Sequence, residues 1–294
     1  MWRLFVLLVL ALANPALSET TAATLFAAQK EPSAQRPSAI GTYAKGCAAG
    51  NVELPQDGPT WQAMRLSRHR NFGQPVTIDF IKDLSAFAVT QGWAGLYVGD
   101  IGNPRGGPMN SGHASHQMGL DVDIWQLPAN RLDLSADERE ELSSIPVRSS
   151  DQRSVTENWT PVHQAIMRQA ALDPRVDRIF VAAAVKIEMC KTATAADTEW
   201  LQKIRPEGGH DTHFHVRLKC PRGSNMCQTQ TPSVSELSKG GNGCDETLAW
   251  WVSDAYLNPK PPKNPPPPKP RKKKSTELLM SDLPPQCMGV LQSD

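Results

Sequence analysis

The chain has 294 residues, a formal net charge of +1 at neutral pH and an apolar content of 39%. This length allows one large domain or two small ones, and the balanced charge favours no polyanionic partner, so we expect no binding to nucleic acid. Ten of the 25 prolines lie in residues 258–294, which indicates that the folding unit is shorter than the chain.

The first segment has the pattern of a secretory signal peptide. A charged start at Arg3 precedes an apolar run, and Ala16 and Ser18 supply small residues at the cleavage positions. Residues 1–18 are therefore predicted to be removed on export, and an uncleaved membrane anchor is the alternative. No other stretch approaches the ~18 apolar residues that a spanning helix needs, so we expect no permanent membrane anchor.

Periodicity predicts the regular elements in chain order. Residues 19–45 show little periodicity and are expected to be an extended N-terminal segment. Helices are predicted over 77–91, 161–172, 182–190 and 195–204. Strands are predicted over 96–98, 120–125, 178–181 and 213–218, and residues 102–112 read as loop. These elements predict a single α+β domain, in which a small, mainly antiparallel sheet is flanked by helices and long loops.

The C-terminal segment, residues 258–294, is rich in proline and lysine. Its part up to residue 285 cannot pack a core and is expected to be polyproline II or disordered. Because Cys287 lies beyond it, the tail is predicted to return and to be tethered by a disulfide. The folded domain is accordingly placed at residues 46–257. Binding of the tail to an anionic polymer is a further hypothesis, although basic runs such as 271–274 are more often solvated linkers.

All six cysteines follow the predicted signal peptide, and an even number in an exported chain predicts three disulfides. The turn-rich loop between Cys220 and Cys227 is one that a local bridge can close. A thiolate metal site is the alternative, but the chain lacks any Cys-x-x-Cys spacing.

Five of the seven histidines fall in two short segments. The first segment contains His113 and His116, and the second contains His210, His213 and His215. Histidine and carboxylate are common zinc ligands, and a site with three protein ligands keeps a fourth position open for water, as catalytic zinc sites do.

Because side chains alternate along a strand, each of two predicted strands carries its polar side chains on one face. Asp121 and Asp123 share one face of the first predicted strand, and His213 and His215 share one face of the second. The turn that follows His116 allows this loop histidine to converge with Asp123 on one ion.

Each part of this pattern also has an ordinary interpretation. A His-x-His pair on a strand is more often solvated or packed, the two aspartates can cap a loop or form salt bridges, and His113 can be a surface residue. The combination of both clusters with a strand carboxylate favours metal. The chain has no His-Glu-x-x-His helix, Gly-x-Ser-x-Gly elbow, Walker loop or dinucleotide fingerprint.

Several stretches resemble the penicillin-insensitive murein endopeptidase family. The similarity is carried by Val98-Gly99-Asp100, Arg105-Gly106-Gly107-Pro108-Met109, Gly112-His113, Ser115-His116-Gln117, Gly119-Leu120-Asp121-Val122-Asp123-Ile124, His210, His213-Phe214-His215-Val216-Arg217-Leu218 and Cys220-Pro221. It covers residues 40–257 and extends to Cys287. This family belongs to a wider zinc peptidase group with lysostaphin-type enzymes, D-Ala-D-Ala peptidases and hedgehog-like domains.

The resemblance implies a set of roles. His116, Asp123 and His215 are expected to bind one Zn²⁺ per chain, with His213 as a catalytic residue and His210 assisting it. His113 and Asp121 are candidates for additional ligands or for partners of the ligands. Apart from the resemblance, Arg217 shares a strand face with His213 and His215, so contact with a substrate carboxylate and a structural ion pair are both open for it. The implied disulfides are Cys47–Cys287, Cys190–Cys244 and Cys220–Cys227.

The resemblance also implies the substrate. The expected activity is hydrolysis of the D-alanyl–meso-diaminopimelyl cross-bridge of peptidoglycan in the periplasm. A D,D- or L,D-carboxypeptidase acting on uncross-linked stems, and a non-catalytic zinc-stabilised wall-binding module, are the alternatives. The sequence leaves the oligomeric state open.

Overall fold

The computed structural model of the chain describes residues 19–262, 267 and 270–293, so the predicted signal peptide lies outside the described residues. Its helices are α1 (Ala22–Ala27), α2 (Pro75–Thr90), α3 (Ala136–Glu141), α4 (Pro161–Leu172), α5 (Ala183–Cys190), α6 (Thr198–Leu201), α7 (Val234–Leu237), α8 (Glu246–Trp250), α9 (Asp254–Leu257) and α10 (Gln286–Leu291). Its strands are β1 (Ser38–Thr42), β2 (Lys45–Ala49), β3 (Val52–Glu53), β4 (Trp61–Ala63), β5 (Phe72–Gly73), β6 (Leu96–Val98), β7 (Asp121–Trp125), β8 (Val176–Val181), β9 (Ile204–Pro206) and β10 (His213–Leu218). The predicted α+β class is confirmed.

A six-stranded sheet in the order β4-β6-β7-β10-β8-β9 occupies the centre of the fold. The three inner pairs, β6–β7, β7–β10 and β10–β8, are antiparallel, and the two outer pairs, β4–β6 and β8–β9, are parallel. The prediction of a mainly antiparallel sheet is therefore confirmed. Strands β1 and β2, and strands β3 and β5, form two separate two-stranded sheets.

Strand β7 is buried on both faces, whereas the alternation of its residues predicted a half-buried strand. The polar face is buried because other groups of the protein cover it, and the exposed fractions of Asp121 and Asp123 are only 0% and 5%. A buried carboxylate needs charged or hydrogen-bonded partners, so this face of the sheet holds a polar cluster.

Helices α2 and α4 pack against one another and contribute to the main core. Helix α2 begins with Pro75 in its first turn, where the missing N–H is tolerated, and buries Ile78, Ile81 and Leu84. The chain leaves the helix at Gly92, whose φ of +93° suits glycine. Both helices lie where the periodicity of the sequence predicted them.

The helix predicted over 195–204 extends three residues too far, because helical structure ends at Leu201. A 3₁₀ turn at Ala195–Asp197 leads into the short helix α6, and Ile204 then opens strand β9. Ile204 is fully buried and pairs with Ile179 of β8, so pairing with the sheet overrides the local helical pattern.

The two ends of the chain form a second, smaller core, which corrects two expectations. Residues 19–45 contain α1 and β1 rather than an extended segment, and Phe26 of α1 is fully buried. The tail expected to be disordered contains 3₁₀ turns at Ser275–Glu277 and Met280–Asp282, and it buries Leu278 and Leu283 in the same cluster. Residues 263–266 and 268–269 of this tail lie outside the described residues.

Three disulfides staple the fold, and they are the pairs that the resemblance suggested: Cys47–Cys287, Cys190–Cys244 and Cys220–Cys227. The first of them fastens α10 to strand β2, so the tail is tethered as expected. In the described part of the chain, no helix combines the length and the apolar character needed to cross a membrane.

Candidate metal centre

His116 is fixed in the loop before β7 with a backbone φ of +68°, a conformation that residues other than glycine rarely adopt. Its backbone N–H donates to Asp121 Oδ2 at 3.0 Å, which holds this turn. Its Nδ1 lies 2.9 Å from the carbonyl oxygen of Ile101. A carbonyl only accepts hydrogen bonds, so Nδ1 carries a proton, and in the neutral ring Nε2 keeps a free lone pair.

His215 is fixed in the complementary way. Strands β10 and β7 are paired so that His215 lies opposite Asp123. His215 Nε2 lies 2.8 Å from Asp121 Oδ1, and because an ionised carboxylate only accepts, Nε2 carries the proton. His215 Nδ1 is then the free nitrogen, and it lies 3.3 Å from Asp123 Oδ1.

Asp123 Oδ1 is the point on which the free nitrogens converge. It lies 3.4 Å from His116 Nε2, 3.3 Å from His215 Nδ1 and 3.6 Å from His213 Nε2. Among the described residues, neither Asp123 Oδ1 nor His116 Nε2 has a hydrogen-bond partner, although both atoms are buried. Leaving buried polar atoms unpaired is unfavourable. A cation between them would satisfy both, and one oxygen with two imidazole nitrogens is a donor set that suits zinc.

His113 lies in the same cluster and is not the surface residue of the alternative interpretation. Its Nδ1 is 3.6 Å from Asp123 Oδ2, and the possible ligand atoms of His113, His116 and Asp123 all lie within 4.8 Å of one another. Its Nε2 is held by Asp100 Oδ2 at 2.9 Å. The same oxygen accepts hydrogen bonds from Arg68 at 3.1 Å and from Arg70 at 2.9 Å.

This Asp100 network was missed by the sequence reasoning. Asp100 stood in one of the stretches that carried the family resemblance, but neither its spacing nor its neighbours indicated His113 as its partner. Arg68 and Arg70 lie in a segment without periodicity, and no local signal connected them to the histidine clusters.

The electrostatics of the cluster favour a cation. Burial opposes ionisation of Asp123, but the neighbouring His116 and His213 hold the pKa of its carboxyl well below the usual range. In turn Asp123 raises the pKa of His116 to about 9 against the effect of burial. Burial lowers the pKa of His215 to about 4, although Asp121 opposes this shift. The ionised Asp123 thus attracts either a proton on His116 or a metal ion in the same space.

A cleft of about 590 Å³, lined by His113, His210, His213 and His215, opens over this cluster. The His213 side chain is 22% exposed, so it is accessible from the cleft while its Nε2 is directed towards Asp123. The His210 ring centre lies 5.1 Å from that of His213, and His210 Nδ1 donates to the carbonyl oxygen of Gly208 at 2.8 Å. Burial and the nearby His213 lower the pKa of His210, which favours its neutral form.

Arg217 forms the ion pair that was the alternative to a substrate contact. Its Nε donates to Asp121 Oδ1 at 2.7 Å, its Nη1 donates to Gln230 Oε1, and the guanidinium lies 4.2 Å from the centre of the Tyr43 ring. Arg217 also lines the cleft. Asp121 Oδ1 accepts hydrogen bonds from His215 and Arg217, and Asp121 Oδ2 accepts one from the His116 backbone N–H. Since both oxygens are occupied, Asp121 is a hydrogen-bond partner of the histidines rather than a further free ligand.

The convergence of these side chains agrees with a comparison of the whole sequence. A family model for penicillin-insensitive murein endopeptidases matches residues 39–292. The chain belongs to this family. The resemblance read from the motifs is thereby confirmed.

Relatives of known name match over most of their length. The penicillin-insensitive murein endopeptidase of Haemophilus influenzae is 39% identical over 226 residues, which cover 77% of this chain and 76% of that relative. The Yersinia enterocolitica protein of the same name is 38% identical over 286 residues, 96% of this chain and 95% of the relative. The Klebsiella pneumoniae protein of that name is 37% identical over 281 residues, 95% of each chain.

Proposed function

We propose that the chain is a zinc-dependent murein endopeptidase that hydrolyses the D-alanyl–meso-diaminopimelyl cross-bridge of peptidoglycan in the periplasm. The observation that carries the proposal is the convergence of His116 Nε2 and His215 Nδ1 on Asp123 Oδ1 in a buried site beneath a cleft. Family membership and the names of the relatives support the substrate class. Three disulfides and the predicted signal peptide support export.

The proposed ligands of one Zn²⁺ per chain are His116, Asp123 and His215. In both histidines the other ring nitrogen already donates to a carbonyl or carboxylate oxygen, which fixes the tautomer and the ring orientation. His113 faces the second carboxylate oxygen of Asp123. We place it beside the metal rather than among the three ligands, because three protein ligands leave the position that hydrolysis needs.

Zinc in this position would polarise the scissile carbonyl and lower the pKa of a water molecule towards ~7. His213 Nε2 borders the same oxygen of Asp123, so His213 is placed to accept the proton of the attacking water or to stabilise the oxyanion. His210 is the proposed proton donor to the leaving amine. Since its neutral form is favoured, it must first take up a proton, and with Nδ1–H held by Gly208 the proton goes to Nε2.

Muropeptide analysis tests this function. Purified mature protein incubated with cross-linked peptidoglycan should convert dimers to monomers, and exhaustive chelation should abolish the conversion until zinc is restored. Release of free D-alanine from uncross-linked stems would identify a carboxypeptidase instead. A protein that binds peptidoglycan but changes no product would be the wall-binding module.

The ligand assignment has its own matched pair of variants. His116→Ala should abolish stoichiometric zinc, measured by atomic absorption, and should also abolish dimer cleavage. His69→Ala is the control, because His69 bonds the Lys30 carbonyl and packs on Phe72 away from the cluster. Unchanged zinc content in His116→Ala would remove His116 from the ligand set.

A further inference from the structure

A second cleft, of about 330 Å³, adjoins the metal centre and shares His113, Asp123 and His213 with it. We call it the arginine cleft, because Arg65 and Arg68 line it. It is separate from the first cleft, which is lined by Glu207, His210 and Arg217. The two clefts together provide space on more than one side of His213, as a substrate that continues beyond its scissile bond requires.

The arginine cleft presents positive charge to solvent. Arg65 has a weak contact, 3.5 Å from its Nη2 to Ser143 Oγ, and the ion pairs formed among the described residues do not include it. The Arg68 side chain is 46% exposed and pairs with Asp100, but this one carboxylate also serves Arg70 and His113. Asp100 and Asp123 also line this cleft, but their side chains are only 3% and 6% exposed. The solvent-accessible charges of the cleft are therefore the guanidinium groups of Arg65 and Arg68.

The positively charged side chains of this cleft lie close to the metal centre. Trp125 follows Asp123 by two residues on β7, so both side chains lie on the same face, and the Arg65 guanidinium lies 5.6 Å from the centre of the Trp125 ring. Gly99 lies between them: a Cβ there would be 3.4 Å from Asp123 Cβ and 3.1 Å from Trp125 Nε1. The bare backbone at Gly99 therefore keeps space open between the metal centre and the arginines.

The first cleft has the opposite character. Its exposed charge is Glu207, whereas the guanidinium of Arg217 is already neutralised by Asp121. A substrate carboxylate would be repelled on that side and attracted on the side of Arg65 and Arg68. The charge pattern thus favours one orientation of a substrate across the two clefts.

We propose that Arg65 and Arg68 bind a substrate carboxylate, namely the one on the carbon atom that bears the scissile nitrogen. This inference rests on the proposed function, since in the cross-bridge the leaving amine belongs to diaminopimelate and its carbon carries a free carboxylate. A guanidinium group binds a carboxylate through paired, charge-assisted hydrogen bonds. Arg65 and Arg68 would therefore select the amine-side portion of the substrate and set the direction in which the cross-bridge lies.

Two cross-linked dimers that differ only in this carboxylate, free or amidated, test the proposal. For the wild-type protein, amidation should lower kcat/KM by about tenfold to a hundredfold, as expected for loss of a charge-assisted hydrogen bond. In Arg65→Gln the preference should shrink to about twofold, mainly through a raised KM for the free-carboxylate dimer, which is the signature of lost binding. Arg68→Gln should shrink it in the same direction. Arg36→Gln, at an exposed position outside both clefts, should retain it.

Zinc content and thermal unfolding of each variant should match the wild type, which excludes a folding defect. Equal cleavage of both dimers by the wild type, or an undiminished preference in both Arg65→Gln and Arg68→Gln, would overturn the carboxylate site while leaving the endopeptidase intact. If the wild type cleaves neither dimer, the proposed function fails. In that case the affinities of the two dimers, measured by calorimetry, test the carboxylate site, because binding does not require cleavage. Weaker binding of the amidated dimer to the wild type, and a smaller difference in Arg65→Gln and Arg68→Gln, would support it, and equal binding would overturn it.

Discussion

Replacing Asp121 with asparagine tests whether a residue that only positions the proposed metal ligands affects zinc affinity. Asp121 is fully buried, and its oxygens accept hydrogen bonds from His215 Nε2 at 2.8 Å, Arg217 Nε at 2.7 Å and the His116 backbone N–H at 3.0 Å. Asparagine keeps the size of the side chain but removes its charge and replaces one acceptor by an NH₂ donor. In either orientation of the amide, that NH₂ group meets one of these donors.

Asp121→Asn should lower both the free energy of unfolding and the metal affinity. Arg217 is buried and loses its counter-charge, and breaking a buried ion pair costs ~3–5 kcal/mol in the free energy of unfolding. We expect the lower end of this range, because Arg217 keeps its bond to Gln230 and its contact with Tyr43. In addition, His215 is no longer held as the Nε2–H tautomer, and loss of such a partner lowers metal affinity by ~10–100-fold.

The loss of stability in Asp121→Asn should have its full size at neutral pH. Burial opposes ionisation of Asp121, but Arg217 and His215 hold the pKa of its carboxyl far below the usual range. A carboxyl whose pKa is lower in the folded chain contributes stability above its unfolded pKa of ~3.9, and that contribution is lost only as the pH falls through the folded value. At pH 7 the wild-type protein therefore retains the full contribution that asparagine removes.

The assay is zinc affinity measured by competition with a chromogenic chelator, together with thermal unfolding of the zinc-free protein. Asp177→Asn is the matched control, because Asp177 pairs with the buried Arg178 at 2.6 Å on strand β8 of the same sheet. This control should lower stability and leave zinc affinity unchanged. Zinc affinity of Asp121→Asn within about twofold of the wild type would refute the assignment of Asp121 as the group that orients His215.

Three further predictions concern other parts of the molecule. Burial, with Arg205 adding to it, lowers the pKa of Lys186 from 10.5 to about 7, so stability should rise with pH between these values and Lys186→Met should flatten that rise in thermal scans. The double variant Cys47→Ala, Cys287→Ala removes a link across 240 residues and should lower the free energy of unfolding by ~2–5 kcal/mol in urea titrations. His213→Ala should keep its zinc, measured by atomic absorption, yet lose dimer cleavage by at least ~100-fold, and retained turnover would exclude its proposed role.

The sequence predicted those parts of the fold that depend on local periodicity. Strand β10 and helix α4 begin and end at the predicted residues, because each buries a regular stripe of apolar side chains. Strand β6 also has the predicted bounds, although all three of its residues are buried. The same alternation correctly put Asp121 and Asp123 on one face. It could not show that this face is covered, since the covering groups come from distant loops.

What remained beyond prediction depends on contacts between distant segments. The segments that contain α1 and the two C-terminal 3₁₀ turns lack periodicity, yet Phe26 lies in one apolar cluster with Leu278 and Leu283, and this cluster also contains the Cys47–Cys287 bridge. The placement of His113 has a similar cause. Its position depends on Asp100, which lies 13 residues earlier in the sequence and is held by arginines from another loop. No local pattern encodes such pairings.

The register of β10 against β7 connects folding to the metal centre. His215 lies opposite Asp123 and Arg217 opposite Asp121, while the intervening Val216 lies opposite Val122 on the apolar face. Because side chains alternate along a strand, a slip of one residue would turn Val216 into the polar cluster and the histidines into the core. Burial of Phe214, Val216 and Leu218 therefore selects the same pairing that brings the ligand atoms together. Core packing therefore sets the geometry of the proposed metal site, and a metal bound there would in turn stabilise that register.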